Sequence, residues 1–279
     1  MIIDLFKSIY LKIILIFKKT GVIKFKTNSL RVLMYHNISE EDFENFEKQI
    51  KYLKKNWNFI TPKKFYNLIN KRRNIKGRNL LLTFDDGFKS NCVIAKKILN
   101  KYKIKAIFFI PVKFIKLKNK KQKIKFIKNN LKLNHINKNM DNMNLEDLRY
   151  LKKNGHEIGS HTYSHINLKR IKSIDILNDE IFKKNKDVEK KINFKFKSFA
   201  FNFGSIKFIS SISLKISLKI YKSVFVAIRG ENKINRRLIY RDNANPKEKP
   251  DILELYLMGI FDKIYRQQTE ELESMLPKE

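Results

Sequence analysis

Along the chain, short apolar runs alternate with stretches in which apolar residues recur every three or four positions, the pattern of strands alternating with helices. Val32–His36 (VLMYH) reads as a first strand closed by polar residues. Phe43, Phe46, Ile50 and Leu53 give Glu41–Trp57 a helical spacing, and Thr61 with Pro62 starts another helix through Phe65 and Leu68. Asn79–Phe84 is an apolar run suited to a parallel sheet covered on both faces. A helix over Ser90–Tyr102 and a second buried strand, Ala106–Val112, complete a strand–helix–strand unit.

Further on, the pattern predicts a helix at Leu145–Asn154 capped by Asn144, a short strand at Glu157–Gly159, and a helix at Ile174–Lys190. Strands at Ser198–Phe203 and Ser223–Ile228 follow, with a helix at Ile209–Lys219 between them and a last short unit at Arg237–Arg241. Lys113–Asn139, rich in lysine and asparagine and weak in periodicity, reads as a partly helical surface excursion. After Pro246 the pattern changes to a tail helix, Ile252–Arg266, and an acidic end. The alternation predicts a single barrel-like α/β domain over Ser29–Asp242, flanked by an apolar and basic segment, 1–28, and a helical tail, 243–279.

Composition changes this picture little. A chain of 279 residues with 43% hydrophobic and 32% charged residues can bury a core and reads as globular rather than disordered. Sixty-one Lys and Arg against 27 Asp and Glu give a net charge of +34, which would normally point to nucleic acid or an anionic membrane. The excess is mostly lysine, scattered with isoleucine and asparagine, and no RNA-binding or helix-turn-helix motif accompanies it. It reads as a compositional habit rather than a nucleic-acid surface, although anionic surfaces and substrates would be attracted. The single cysteine, Cys92, excludes an intramolecular disulfide and lies in an apolar stretch, as a buried structural thiol would.

Met1–Lys19 is apolar but broken by Asp4, Lys7 and Lys12, and its longest apolar run, Ile13–Phe17, is far shorter than the ~20 residues that cross a bilayer. It has neither the basic start nor the small-residue cleavage site of a signal peptide. Two readings stay open: a cationic amphipathic helix on a membrane surface, and a helix packed on the domain. With no disulfide and no signal peptide, the expectation is a cytoplasmic or cytoplasmic-membrane-associated protein.

The chemistry is concentrated in two motifs. Asp85 and Asp86 stand together in TFDDG (Thr83–Gly87), at the end of a predicted strand, where function collects in parallel α/β folds. Adjacent carboxylates repel, so keeping both ionised favours a nearby cation. His161 and His165 follow in GSHTYSH, spaced to share one face if the segment is helical. One carboxylate with two imidazoles makes a facial metal triad, and the other carboxylate is free to take a proton from water. No Glu lies between the histidines, so the base must come from elsewhere, and Asp85 or Asp86 is the obvious source.

TFDDG followed by GHEIGSHTYSH resembles the polysaccharide deacetylases of the NodB-homology type, carbohydrate esterase family four. The resemblance runs over about Val32–Asp242 and includes LMYH at Leu33–His36, AIFFI at Ala106–Ile110 and FAFNFG at Phe199–Gly204, the last similar to the family's FAYPYG. It implies a distorted (β/α) barrel, with Asp85 as catalytic base and Asp86, His161 and His165 on a divalent metal, usually zinc, with cobalt or nickel tolerated. It implies an oxyanion contact near Phe203 and Asn202, and an N-acetylated glycan as substrate. Asn202 stands where the family has proline, and Phe201 and Phe203 where it has tyrosines.

Two expected groups are missing. No histidine follows His165 to serve as the general acid, which leaves His36 as the candidate beside its reading as a structural histidine. The arginine expected shortly before FAFNFG to support the base is absent; Lys195 and Lys197 stand there, and Arg229 and Arg241 are not placed by the pattern. His156 reads as structural and His135 as solvated. The function expected is a metal-dependent hydrolase removing N-acetyl, less readily O-acetyl, groups from a sugar of a surface polysaccharide or its precursor. The alternative is a weakly active or inactive module of the same fold that binds glycan or anionic membrane.

Overall fold

The computed structural model describes residues 11, 13–17, 20, 26–70, 75–136 and 140–276. In chain order the elements are β1 (Ser29–Tyr35), α1 (Phe43–Leu53), β2 (Asn58–Phe59), α2 (Pro62–Asn70), β3 (Arg78–Phe84) and α3 (Lys89–Ile94), which continues as a π-helical turn over Ala95–Leu99. Next come β4 (Ala106–Ile110), α4 (Val112–Lys116), α5 (Lys120–Asn129), α6 (Leu145–Lys153), β5 (Glu157–Ser160), α7 (Ile174–Ile181), α8 (Lys186–Ile192) and β6 (Ser198–Ala200). The last are α9 (Ser211–Ile220), β7 (Ser223–Val226), β8 (Leu238–Tyr240), β9 (Asp242–Asn243), α10 (Pro250–Leu257) and α11 (Arg266–Ser274).

All the strand pairings between these elements are parallel, in the order β8-β7-β6-β5-β4-β3-β1-β9, with β2 set on β3. β8 ends the sheet on one side and β9 on the other, yet only Arg241 separates them in sequence. The chain therefore joins the two ends of the sheet, and the expected (β/α) barrel is the fold observed.

Strand periodicity sorts the core into two parts. Leu30, Val32, Leu81, Ile107, Phe109, Ala200, Phe225 and Ile239 fill the barrel, closed from below by Ile60 and by Phe65, Tyr66 and Ile69 around α2. The alternate residues, among them Leu33, Tyr35, Leu82, Phe84, Phe108 and Ile110, pack outward against Phe46, Ile50 and Leu53 of α1 and other helical residues. Gly159 lies on the inner face of β5, and a Cβ there would sit 2.5 Å from the Phe109 ring, so glycine lets that ring fill the barrel. Continuing the inner rows two residues further brings Val32 to Met34, Thr83 to Asp85, Gly159 to His161 and Ile239 to Arg241, all at the carboxyl ends of the strands.

Three expectations change. The single helix over Ile174–Lys190 is two, because the backbone leaves helical geometry at Phe182 (φ −144°). Lys113–Asn139 is not a peripheral excursion: Phe114, Phe126, Ile127 and Leu131 are buried in a satellite core with Phe88. Residues after Asp242 continue in the same core. Asn243 pairs with β1, and Leu253, Leu255 and Leu257 of α10 are buried. Of the segment 1–28, residues 1–10, 12, 18, 19 and 21–25 lie outside the described residues. Within it Leu11 is buried, Ile14 and Leu15 pack against the core, and Ile13, Ile16 and Phe17 are exposed. No described helix is long and apolar enough to cross a membrane.

Candidate active site

Asp85 and Asp86 leave β3 in a turn that the side chains alone would not favour. Asp86 and Gly87 both adopt φ +71°, in the left-handed region, where a non-glycine residue is strained. The Asp85 N–H still donates to the Tyr35 carbonyl (2.8 Å), which ties the turn to β1. The consequence is that the two neighbouring carboxylates face different partners.

Asp85 is held by Arg241. Nη1 donates to Oδ1 (2.7 Å) and Nη2 to Oδ2 (2.8 Å), a bidentate pair with both side chains fully buried. The guanidinium lies over the Phe109 ring, 5.2 Å from its centroid, so the pair rests on the core of the barrel. Burial alone would raise the Asp85 pKa, but the Arg241 charge, with His161 and His36 nearby, holds it below the ordinary carboxylate value. The supporting arginine missing before FAFNFG thus comes from the residue that closes the sheet.

Asp86 faces the histidines instead: its Oδ1 is 3.6 Å from His161 Nε2 and 3.3 Å from His165 Nε2. The histidine segment is not helical. Thr162 and His165 have φ +62° and +56°, and a loop rather than a helical face brings the imidazoles together, with ring centroids 5.0 Å apart. The loop is over-determined. Thr162 Oγ1 accepts from the His165 N–H (2.9 Å), while Glu180 of α7 accepts from the Ser164 N–H (2.9 Å) and Oγ (2.7 Å).

Each imidazole is turned by a backbone carbonyl. His161 Nδ1 lies 2.8 Å from the Ala200 oxygen and His165 Nδ1 2.9 Å from the Asn130 oxygen. A carbonyl only accepts, so Nδ1 carries a proton in both rings and Nε2 is the nitrogen that each ring turns toward Asp86. Burial pulls the His161 pKa down to about 4, which keeps that ring neutral near pH 7. Two imidazole nitrogens and a carboxylate bring donor atoms within 4.8 Å of one another, close enough to be shared by one cation. The donor set therefore fits a divalent ion, and the buried carbonyl contacts are the outer supports such ligands commonly have.

These groups form the floor of a cavity of about 620 Å³, within the ~300–1,000 Å³ typical of small-molecule sites. His36 is exposed on its wall, just beyond β1, and Leu131 and Leu133 bring the basic insertion to it, with Met140 just after. Phe203 also lines it, at φ +57° and with its ring edge-on to His165 (4.9 Å between centroids); its N–H meets no acceptor among the described residues. Asn202 is placed differently from expectation. Its Nδ2 donates to Thr162 Oγ1 (3.0 Å) and to the Ile166 carbonyl (3.1 Å), so it braces the histidine loop from below instead of lining the cavity.

His156 lies away from the cavity, packed on Phe108 with Nδ1 accepting from the Ala106 N–H (3.2 Å), and burial pulls its pKa down to about 3. Cys92 is buried as expected, its thiol pKa pushed up to about 12 by burial.

Residues 72–216 match the family model described as polysaccharide deacetylase. A curated relative, "Putative polysaccharide deacetylase YxkH" of Bacillus subtilis (strain 168), is 28% identical over 149 residues, 51% of this chain and 46% of that protein. The match thus spans about half the length of that relative. Among solved structures, the Streptococcus pyogenes deacetylase PplD in complex with acetate is similar with a TM-score of 0.65 and 19% identity, over 83% of this chain and 99% of that one. IcaB from Ammonifex degensii is similar with a TM-score of 0.66 and 19% identity, over 84% and 100%. At that identity the two structures speak for the fold, and the family model speaks for descent. The barrel, the strand-end site and the family model agree: this chain belongs to the polysaccharide deacetylase family.

Proposed function

We propose that this protein is a metal-dependent hydrolase that removes N-acetyl groups from a sugar of a surface polysaccharide or its precursor. The observation that carries the reading is the division of labour between adjacent carboxylates. Asp86 shares a buried three-donor cluster with His161 and His165, while Asp85 is kept ionised outside it by Arg241. When bound by those three residues, a divalent ion, zinc with cobalt or nickel as substitutes, supplies Lewis acidity toward a carbonyl and makes water more acidic.

The chain's own residues do the rest. Asp85, unprotonated, takes the proton of the attacking water as its oxygen bonds to the acetyl carbon. The Phe203 N–H, unpaired among the described residues, donates to the carbonyl oxygen as it becomes anionic. His36, on the cavity wall, gives a proton to the sugar nitrogen as the carbon–nitrogen bond breaks, leaving acetate and a free amine. A nitrogen leaving group needs that proton, and His36 is the histidine on the wall beyond the donor cluster.

Exposed Ile13, Ile16 and Phe17, in a sequence flanked by Lys12, Lys18 and Lys19, favour a peripheral membrane contact on the cytoplasmic side. The direct test is acetate release from matched N- and O-acetylated oligosaccharides by metal-loaded protein. Release from the N-acetylated set is expected, and release from neither set defeats the reading. The bracing of the histidine loop gives a second expectation. Thr162→Val removes the oxygen that receives both the His165 N–H and Asn202, and should weaken divalent-metal binding by about 10–100-fold in competition with a chromogenic chelator.

A further inference from the structure

The family model ends at residue 216, but the wall of the catalytic cavity does not: Asn243 and Tyr265 belong to it. Tyr265 ends a short 3-10 turn, Asp262–Tyr265, between α10 and α11. That turn is pinned to the barrel. Asp262 Oδ2 accepts from Arg31 Nη1 of β1 (2.6 Å), and in α11 Glu273 accepts from the Tyr240 hydroxyl (2.9 Å) and pairs with Arg236 (3.1 Å). Tyr265 is half-buried, its ring packed against the core around the barrel, and its hydroxyl meets no partner among the described residues. The chain carries 61 Lys and Arg, yet none of the described residues lining this cavity is a Lys or Arg. To this wall Tyr265 adds an aromatic surface with a polar tip, beside the uncharged side chains of Asn37 and Asn243. That suits an uncharged pyranose, whose C–H face is apolar and whose rim carries hydroxyls.

We infer that Tyr265 contacts the substrate, as an aromatic platform for a neutral sugar ring beside the catalytic centre. The inference rests on the deacetylase reading for the identity of the ligand, but its test does not depend on turnover. The zinc-loaded full chain is titrated calorimetrically with the fully N-acetylated chitin tetrasaccharide, and KM and kcat for acetate release are measured in parallel. Tyr265→Ala should raise both Kd and KM about tenfold with a much smaller change in kcat. Tyr265→Phe, which keeps the ring, should stay within about threefold of wild type in Kd.

Equal Kd values for wild type and Tyr265→Ala overturn the inference, as does a Tyr265→Ala loss confined to kcat with a lowered melting temperature. Absence of tetrasaccharide binding by wild type overturns it too. Binding that weakens in Tyr265→Ala without acetate release by wild type supports the contact and removes the deacetylase reading. Release with an unaltered KM in Tyr265→Ala does the reverse.

Discussion

Asp85→Asn is expected to lower acetate release by about 10²–10⁴-fold, the range a positioned general base contributes, while the bound metal stays. The carboxamide keeps an oxygen for Arg241, so the barrel should fold, and Asp86, His161 and His165 are untouched. Initial rates, metal content and a melting curve on one preparation check this. A rate within threefold of wild type would remove Asp85 as the base. A parallel loss of metal would mean that the two carboxylates share one role.

The second large effect is on stability. Arg241→Met leaves the Asp85 carboxylate buried without its counter-charge, and breaking a buried pair from one side costs about 3–5 kcal/mol. For a domain of this size that is a fall in melting temperature on the order of 10 °C. Methionine can still lie over Phe109, so the loss is chiefly electrostatic. Adding Asp85→Asn to Arg241→Met removes the stranded charge and should recover part of the stability, giving a coupling that denaturant titration of the four proteins resolves. Additive losses would show that the pair is not what holds the strand ends together.

The motif half of the site was legible because it is local. Asp85–Asp86 and His161–His165 each lie within one turn at a strand end, and residue chemistry alone marks them. What supports them was not legible, because it comes from elsewhere in the chain: Arg241 from the junction of β8 and β9, the Asn130 carbonyl from the basic insertion, and Glu180 from α7. Strand parity could have found Arg241, since Ile239 is inward and Arg241 lies two residues on. The lysines of the insertion mask Phe114, Phe126, Ile127 and Leu131 in the pattern, and their burial brings Leu131 and Leu133 to the cavity. The spacing of His161 and His165 would put both on one face of a helix, yet a loop brings them together. Left-handed Thr162 and His165 carry no glycine or asparagine to announce them.

The fold follows the same division. Alternating strands and helices predict the parallel barrel, whereas its closure depends on β8 and β9 flanking a single residue, a long-range match that periodicity does not encode. For the same reason the tail after Asp242, read as a separate helical segment, adds Asn243 to the sheet and Tyr265 to the cavity.

The central claim is that Asp86, His161 and His165 hold a catalytic divalent ion, and elemental analysis coupled to an acetate assay tests it most directly. The account predicts about one divalent ion per chain in wild type, lost together with acetate release in His161→Ala/His165→Ala and on stripping wild type with chelator, and restored to stripped wild type by zinc. Stripped, metal-free wild type that releases acetate at its full rate would contradict it.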